Sequence, residues 1–397
     1  MAPCYESVEA MLAGANPWEP MLCIWPEKIA AQARRFLSGF PGHVLYAVKA
    51  NPLPSVIEAL RDAGIGHFDV ASDGEMAAVS ACCPGAELYF HNPVKSRSAI
   101  RIAARSRQIR SFAVDHGDEL VKCCAEITRR DLVIFVRVAT RPSPAAQDFS
   151  TKFGANPDEA VSLLRAARDA GFACGLTFHV GTQCRCPQAY ADAIAACGHI
   201  ARAAGVPLAG LDVGGGFPAE YDDEVNPPLE SYFQVIARSF RDLRIERCEL
   251  YCEPGRALVA EAGAVVAQIV HRRGDRLHLN DGISGSFGEL SYLQRQVRGR
   301  LYRRHGERVA AIGIDAARDC GFGAFTLVGP LAFDSADELP GRYSLPADAR
   351  EGDWIALDRL GAYATCLAAN FHTYHRPLDA VIAGQPRLDA RECRDAA

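Results

Sequence analysis

The sequence has no run of apolar residues that approaches the roughly 20 needed to span a membrane. Its start, Met1 to Glu6, lacks the basic residues and the apolar stretch of a secretory signal peptide. No low-complexity linker interrupts the chain. We therefore expect a folded, cytoplasmic protein with no membrane partner.

An excess of positive charge is also absent, since 43 Lys and Arg residues against 48 Asp and Glu residues leave a formal net charge of −5. This balance provides no general basic field that would recruit nucleic acid. One local group of arginines stands out, and its pattern predicts a solvated, Arg-rich helical face. Its members are Arg295, Arg298, Arg300, Arg303 and Arg304.

The cysteine pattern gives little indication of a metal site. Although the chain has 15 cysteines, Cys184 and Cys186 form the one suggestive pair, and no further Cys or His follows at a suitable spacing. We expect free thiols, many of them buried as small hydrophobic residues, and no bound metal.

Short β-type runs alternate with helical segments through the first two thirds of the chain. Asn156 and Pro157 are suited to the start of one such helix, and Gly171 is suited to its end. Eight strands separated by helices favour a (β/α)8 TIM barrel over an open, doubly wound sheet. The predicted strands are 44–48, 67–71, 87–90, 111–114, 132–138, 175–180, 208–213 and 249–252.

A second domain is indicated where the helical segments stop. After about residue 260 the chain has β-type runs without regular helices. We therefore predict a barrel formed by residues 25–259 and a mainly β domain formed by residues 1–24 and 260–397.

Lys49 follows the first predicted strand, and residues at the carboxyl ends of barrel strands face the active site. A lysine held among apolar residues has a lowered pKa and a nucleophilic amine. A Schiff base with a carbonyl compound or with pyridoxal phosphate requires such an amine. A strand-end lysine that extends its charged group into solvent is the alternative.

Three consecutive glycines, Gly214, Gly215 and Gly216, follow the seventh strand. Their backbone N–H groups can approach a phosphate closely, although a tight turn would also explain them. Glu253 ends the eighth strand, and His179 lies at the end of the sixth. Pyridoxal phosphate accounts for the whole set. Its aldehyde would react with Lys49, and its ring nitrogen would pair with Glu253. Its ring face would lie against His179, and its phosphate would bind at the glycines. A carboxylate beside the pyridine nitrogen keeps it protonated, which makes the ring an electron sink.

Four motifs together resemble the fold-type III, pyridoxal-phosphate-dependent amino-acid decarboxylases, which have an alanine racemase-like fold. The ornithine decarboxylase branch is nearest, in a family that includes lysine and diaminopimelate decarboxylases. The resemblance extends from about residue 22 to residue 371. The motifs are Tyr-Ala-Val-Lys at 46–49, His-Val-Gly-Thr at 179–182, Gly-Gly-Gly-Phe-Pro at 214–218 and Glu-Pro-Gly-Arg at 253–256.

The resemblance implies roles for individual residues. Lys49 would form the Schiff base with the cofactor, His179 would stack on its ring, and Glu253 would pair with the pyridine nitrogen. It also implies a homodimer with shared active sites and a place in amino-acid metabolism such as polyamine biosynthesis. The remaining cofactor-binding residues would be Asp69, Arg137, Thr182, Gly215, Gly216, Gly255, Arg256 and Tyr363.

The chain departs from the family pattern where the substrate side chain is expected. Phe333 stands where the family has the cysteine that returns a proton to the α-carbon. Asp334 matches the acidic residue that binds the distal amine, whereas Leu293 replaces a second acidic residue. Ser284 replaces an aromatic residue and enlarges the pocket.

These departures keep several activities open. The expected activity is decarboxylation of a basic or diamino acid, such as ornithine or lysine, or of a derivative in specialised metabolism. The alternatives are decarboxylation-dependent oxidation or transamination, because phenylalanine cannot donate a proton, an amino-acid racemase, and a non-catalytic homologue that acts by binding.

Overall fold

The computed structural model describes residues 2–141, 144–147, 149, 151–221, 225–312, 321–331, 337–369 and 377–384. The chain divides into two units. The barrel unit contains Ile29–Glu261 and Gly361–Cys366, and the sheet unit contains Met1–Lys28, Ala262–Leu360 and Leu367–Ala397. Among the helices in the described ranges, none combines the length and the hydropathy that a membrane span requires.

Eight parallel strands close into a barrel in the barrel unit, which confirms the predicted TIM barrel. Each strand pairs with the next along the chain, and the eighth pairs with the first through Tyr251 to His43 and Cys252 to Val44. Closure brings the carboxyl ends of all eight strands to one mouth. The strands are His43–Ala47, His67–Asp69, Glu87–Phe90, Ile109–Val114, Val133–Val138, Ala173–Phe178, Leu208–Asp212 and Glu249–Cys252.

Each barrel strand is followed by a helix, and in several of these the local sequence marks the ends. The helix Pro157–Asp169 shows this most clearly, because the Asn156 side chain accepts hydrogen bonds from the backbone N–H groups of Asp158 and Glu159 and a capping box is complete. Gly171 then adopts a φ of +86° after the last turn. The helices are Pro26–Gly39, Pro54–Asp62, Asp73–Cys82, Arg97–Arg105, Gly117–Glu126, Pro157–Asp169, Pro187–Ala204, Leu229–Leu243 and Arg256–Val259, with single 3₁₀ turns at Val48–Ala50 and Ala260–Ala262.

The interior of the barrel is filled by side chains from different strands. Leu45, Tyr89, Ala113, Phe135 and Tyr251 form one buried cluster. Since they come from five strands, they can meet only inside the barrel. This layer closes the barrel below its mouth and leaves the carboxyl ends of the strands to carry polar groups.

The sheet unit is mostly β, as predicted, and its described residues form a ten-stranded sheet with the helices Val8–Ala15 and Gly288–Leu293. Met11 and Leu12 of the first helix pack in a buried cluster with Tyr302 and Trp354 of the sheet. The strands are Cys4–Tyr5, Met21–Ile24, Gly263–Arg273, Arg276–Leu279, Gly299–His305, Arg308–Ala311, Phe322–Val328, Tyr343–Pro346, Trp354–Asp358 and Leu378–Ile382.

The Arg-rich segment was predicted to be a solvated helical face, and this prediction is wrong. Arg300, Arg303 and Arg304 lie in the strand Gly299–His305. Arg303 is buried, and its Nε and Nη2 donate to Asp353 at 2.8 Å each. Arg300 donates to Asp358 at 2.7 Å. Arg300 and Arg303 are paired within the sheet unit with carboxylates that follow 58 and 50 residues later, and no local pattern could indicate those partners.

Candidate active site at the barrel mouth

Lys49 lies at the mouth of the barrel, in the 3₁₀ turn Val48–Ala50 that follows the first barrel strand. Two hydrogen bonds hold this turn to the segment that contains Tyr363. The N–H of Tyr363 donates to the carbonyl oxygen of Ala50 at 2.7 Å, and Asn51 Nδ2 donates to the carbonyl oxygen of Gly361 at 2.8 Å. The turn is therefore tied to this segment as well as to the strand that precedes it.

The predicted lowering of the Lys49 pKa is wrong. Burial alone would lower this pKa, but the carboxylates of Asp69 and Glu253 outweigh burial and raise it above its ordinary value. Nζ lies 3.6 Å from Asp69 Oδ2, and 46% of the side chain is exposed, so solvent screens part of this attraction. The amine is a cation in this arrangement, and it must lose a proton before it can act as a nucleophile.

His91 follows the third barrel strand and lies among buried carboxylates, and the sequence reading missed it. His91 Nδ1 lies 3.0 Å from Asp212 Oδ2 and 2.7 Å from Glu253 Oε1, and Nε2 lies 2.7 Å from Ser111 Oγ. Burial disfavours the charged imidazole, but the hydrogen bonds to Asp212 and Glu253 raise the pKa of His91 to about 10. Its position directly after a barrel strand is the one signal that could have singled it out.

The same network acts on Glu253. Burial and the neighbouring Asp212 carboxylate raise the pKa of Glu253, while His91 and Lys49 act in the opposite direction. Asp69, at the end of the second strand, also has its pKa raised, to about 6, chiefly by burial. The mouth of the barrel thus combines several buried carboxylates with the cationic side chains of Lys49 and His91.

His179 directly follows the sixth barrel strand and is uncharged. Its Nδ1 accepts a hydrogen bond from the N–H of Gly181 at 3.0 Å, so Nδ1 carries no hydrogen. Burial, followed by the positive charges of Arg137 and Lys49, holds its pKa well below the ordinary value. A neutral imidazole therefore lies beside the glycine turn.

The triple glycine is required by close packing as well as by backbone conformation. A Cβ on Gly215 would lie 2.7 Å from the carbonyl oxygen of Glu253 and 3.2 Å from His179 Nε2. Gly214 and Gly216 have φ values of +66° and +94°, in the region that favours glycine. Because these residues have no side chain, the backbone of the turn packs directly against both His179 and Glu253.

Arg256 begins the short helix after the eighth barrel strand and is buried. Its Nη1 donates to the hydroxyl of Tyr221 at 2.9 Å, and its guanidinium lies 4.9 Å from the centre of the Tyr363 ring. Gly255 caps this helix. Arg137, in the fifth strand, lies over the Phe153 ring at 5.3 Å.

A comparison of the sequence with protein families identifies the chain. The family described as "Pyridoxal-dependent decarboxylase, pyridoxal binding domain" matches residues 26–260. The chain belongs to this decarboxylase family. It is similar to the lysine/ornithine decarboxylase of Selenomonas ruminantium, with 31% identity over 362 residues that cover 89% of this chain and 86% of that protein.

Two further relatives show the range of this decarboxylase family. The structure of the Vibrio vulnificus lysine/ornithine decarboxylase complexed with cadaverine superposes with a TM-score of 0.78, 28% identity and coverage of 96% of this chain and 100% of that one. The protein named antizyme inhibitor 2 of Xenopus laevis is 28% identical over 373 residues, which cover 86% of this chain and 76% of that protein. The relatives thus include a protein named as an inhibitor as well as decarboxylases.

The residues at the barrel mouth of this decarboxylase fit its family's cofactor, pyridoxal phosphate. The glycine turn has no room for a Cβ between Glu253 and His179, and it offers the bare backbone that a phosphorylated ring requires. Arg256 adds a buried cation to this set, and Lys49 adds an amine. The donor set therefore matches an anionic aldehyde with a basic ring nitrogen.

The other residues named from the sequence are divided between the barrel unit and the sheet unit. Thr182 is in the loop after the sixth strand, where its N–H donates to the carbonyl oxygen of Gln147 at 3.1 Å. Ser284 and Leu293 belong to the sheet unit, and Leu293 ends the helix Gly288–Leu293. Phe333 and Asp334 lie outside the described residues.

Proposed function

We propose that this chain catalyses the pyridoxal-phosphate-dependent decarboxylation of a basic or diamino acid. The observation that carries the proposal is the meeting of Lys49, His179, Glu253 and the glycine turn at one barrel mouth, in a chain of the pyridoxal-dependent decarboxylase family. When bound, pyridoxal phosphate supplies the electron sink that stabilises the negative charge left on the α-carbon after carbon dioxide departs. The residues of the protein would hold and orient the cofactor and would set the charge around it.

We assign the cofactor-binding roles by what each residue offers. Lys49 provides the amine for covalent attachment of the aldehyde. Glu253 provides the negative charge that favours a protonated pyridine nitrogen, and neutral His179 can lie against the ring without adding a positive charge. Asp69, beside Lys49, and Arg137, close to His179, would set the charge around the amine and the ring.

Phosphate binding would fall to a second group of residues around the glycine turn and the eighth strand. Backbone N–H groups in such a turn and at the start of a helix favour an anion. Buried Arg256 adds a permanent positive charge. The proposed residues are Thr182, Gly215, Gly216, Gly255, Arg256 and Tyr363.

The substrate class follows from the relatives and remains our proposal for this chain. The relatives' names include lysine and ornithine as substrates, and one structure contains cadaverine. We propose that Asp334 binds the distal amine, that Leu293 and Ser284 leave the pocket less acidic and larger, and that a homodimer completes each site. Polyamine biosynthesis in the cytoplasm is the corresponding proposed role.

Phe333 supports a second activity, because phenylalanine cannot return a proton to the α-carbon. After loss of carbon dioxide the chain would then release a carbonyl product, either by oxidation in which molecular oxygen is the electron acceptor or by transamination that leaves the amino group on the cofactor. The two activities differ in their products, which makes them separable by experiment.

Covalent trapping tests the cofactor site. The protein loaded with pyridoxal phosphate is reduced with borohydride and digested, and the peptides are analysed by mass spectrometry. We expect a pyridoxyl group on the peptide that contains Lys49, and none in the Lys49→Arg variant. The matched control, Lys28→Arg, should be labelled like the native protein. Absence of the label from Lys49 would contradict the proposed site.

Product analysis then tests the reaction. The native enzyme is incubated with a panel of basic and diamino acids, with and without oxygen, and the products are identified by mass spectrometry. An amine with carbon dioxide supports decarboxylation. A carbonyl product supports the second activity, with oxygen consumed if it forms by oxidation and with the amino group left on the cofactor if it forms by transamination. If Phe333 redirects the reaction, Phe333→Cys should shift the products toward the amine.

A further inference from the structure

His91 lies between the carboxylate assigned to the pyridine nitrogen and a second buried carboxylate. Its side chain is 3% exposed, those of Asp212 and Glu253 are 0% and 9% exposed, and one nitrogen, Nδ1, is within 3.0 Å of both carboxylates. Carboxylates accept hydrogen bonds and do not donate them, so Nδ1 carries a hydrogen that both share. His91 therefore links Asp212 to Glu253.

The proton count of this group follows from the chemistry of its members. Two ionised carboxylates held this close in a buried site repel each other, so one proton beyond that on Nδ1 is favoured within the group. Imidazole is more basic than either carboxylic acid, with an ordinary pKa of about 6.5 against about 4. Ser111 Oγ, 2.7 Å from Nε2, is placed to accept a hydrogen bond from it. The extra proton therefore belongs on Nε2.

Other charges near His91 do not change this assignment. The backbone N–H of His91 donates to the carboxylate of Asp69, which adds negative charge on one side. Lys49 and Arg137 both interact electrostatically with the carboxylates of Asp69 and Glu253. The positive charges of these two side chains are therefore balanced by nearby negative charges. Tyr89 contacts the imidazole with its ring edge and carries no charge.

We propose that His91 is a positioning residue that, as an imidazolium bridging Asp212 and Glu253, keeps Glu253 ionised for its role beside the pyridine nitrogen. This inference rests on the proposed function for its catalytic meaning. Its structural part, that His91 is a buried cation between two carboxylates, involves only this chain's own side chains and does not depend on the proposed function. Without the cation, the proton moves to the carboxylate pair, which leaves one of the two as a neutral acid.

The charge on His91 is measured by ¹⁵N NMR of the holoenzyme labelled at histidine. The signals of His91 are those missing from the His91→Gln variant among the 11 histidines of the chain. We expect both ring nitrogens to be protonated from pH 6 to pH 8. An unprotonated ring nitrogen at pH 7 would overturn the proposal. Asp212→Asn removes one of the two anions and should lower the pH at which Nε2 loses its hydrogen.

Infrared spectroscopy follows the proton when His91 is replaced. In a difference spectrum against the native protein at pH 7, His91→Gln should gain the carbonyl stretch of one further protonated, buried carboxylic acid. Adding Asp212→Asn to His91→Gln removes one member of the carboxylate pair and should abolish the new band. His199→Gln, which replaces an exposed histidine, should leave the spectrum unchanged. A His91→Gln spectrum without the band refutes the proton assignment.

Kinetics separate positioning from folding. Since His91 acts through Glu253, His91→Gln should lower kcat by about tenfold at similar KM, and a kcat equal to that of the native enzyme would contradict the role. If the native chain shows no pyridoxyl label on Lys49, the proposed function fails. The NMR and infrared results on that same protein still decide the charge of His91.

Discussion

The clearest test of the candidate site replaces glycines that differ in conformation and in surrounding space. Gly205 has a φ of +63°, and a Cβ there would meet nothing within 4 Å. Gly215 has no positive φ, but its Cβ would lie 2.7 Å from the carbonyl oxygen of Glu253 and 3.2 Å from His179 Nε2. Gly216 combines a φ of +94° with contact of its Cβ against the carbonyl oxygen of Gly181. Gly205→Ala therefore measures the cost of the backbone conformation alone, and Gly215→Ala measures the cost of crowding alone. Gly216→Ala measures both costs together.

The expected magnitudes follow from these differences. Gly205→Ala should cost about 1–2 kcal/mol of unfolding free energy, which is the ordinary cost of a left-handed conformation. Gly215→Ala should cost about 1–3 kcal/mol, because a backbone carbonyl oxygen must move to admit the methyl group. Gly216→Ala should cost roughly the sum, about 2–5 kcal/mol. Urea denaturation followed by circular dichroism measures each value.

The affinity for the cofactor distinguishes a substitution in the candidate site from a substitution elsewhere in the barrel. A shift of Glu253 or His179 in Gly215→Ala should weaken pyridoxal phosphate binding by about tenfold or more, which corresponds to about 1.4 kcal/mol. Gly205→Ala should bind the cofactor like the native protein, because a Cβ at this helix end meets nothing within 4 Å. Absorbance titration measures the affinity. If Gly215→Ala retains native stability and affinity, the reasoning about close approach is refuted.

Two further predictions concern the sheet unit, with a control in the barrel unit. Arg303→Met leaves the carboxylate of Asp353 buried without its bidentate partner, and should lower the unfolding free energy by about 3–5 kcal/mol. Arg35→Met breaks an exposed pair with Glu230 and should cost less than about 1 kcal/mol. Equal losses in urea denaturation would contradict this ranking. Burial raises the pKa of Asp281 to about 6. This carboxyl group therefore contributes fully to the unfolding free energy below its unfolded pKa of about 4. That contribution is lost as the pH rises through about 6. Asp281→Asn should therefore gain stability relative to the native protein between pH 4 and pH 8, by at most about 3 kcal/mol. A difference that does not change with pH would contradict it.

The barrel was predictable because its signals are local. Strand runs, helix caps and breaks repeat along the sequence, and the capping box at Asn156 shows that these signals are realised in the structure. Once a parallel barrel is assumed, the residues that follow its strands are brought to one mouth. This reasoning selected Lys49, His179 and Glu253 without any information on long-range contacts.

Errors arose where partners are distant in sequence. Arg300 and Arg303 have a spacing compatible with a helix, but their partner carboxylates, 58 and 50 residues away, lie beside a strand. The apolar neighbours of Lys49 suggested a lowered pKa, whereas Asp69 and Glu253 raise it. Local patterns report periodicity and polarity, and they contain no distances between charges.

The sequence by itself determined the alternation of strands and helices, the ends of the helices and the set of side chains at the strand termini, because these depend on neighbouring residues. Only the tertiary structure decided their charges. His91 is separated from Asp212 by 121 residues and from Glu253 by 162. Barrel closure places these groups within hydrogen-bonding distance and away from water, and burial and proximity are what set a pKa.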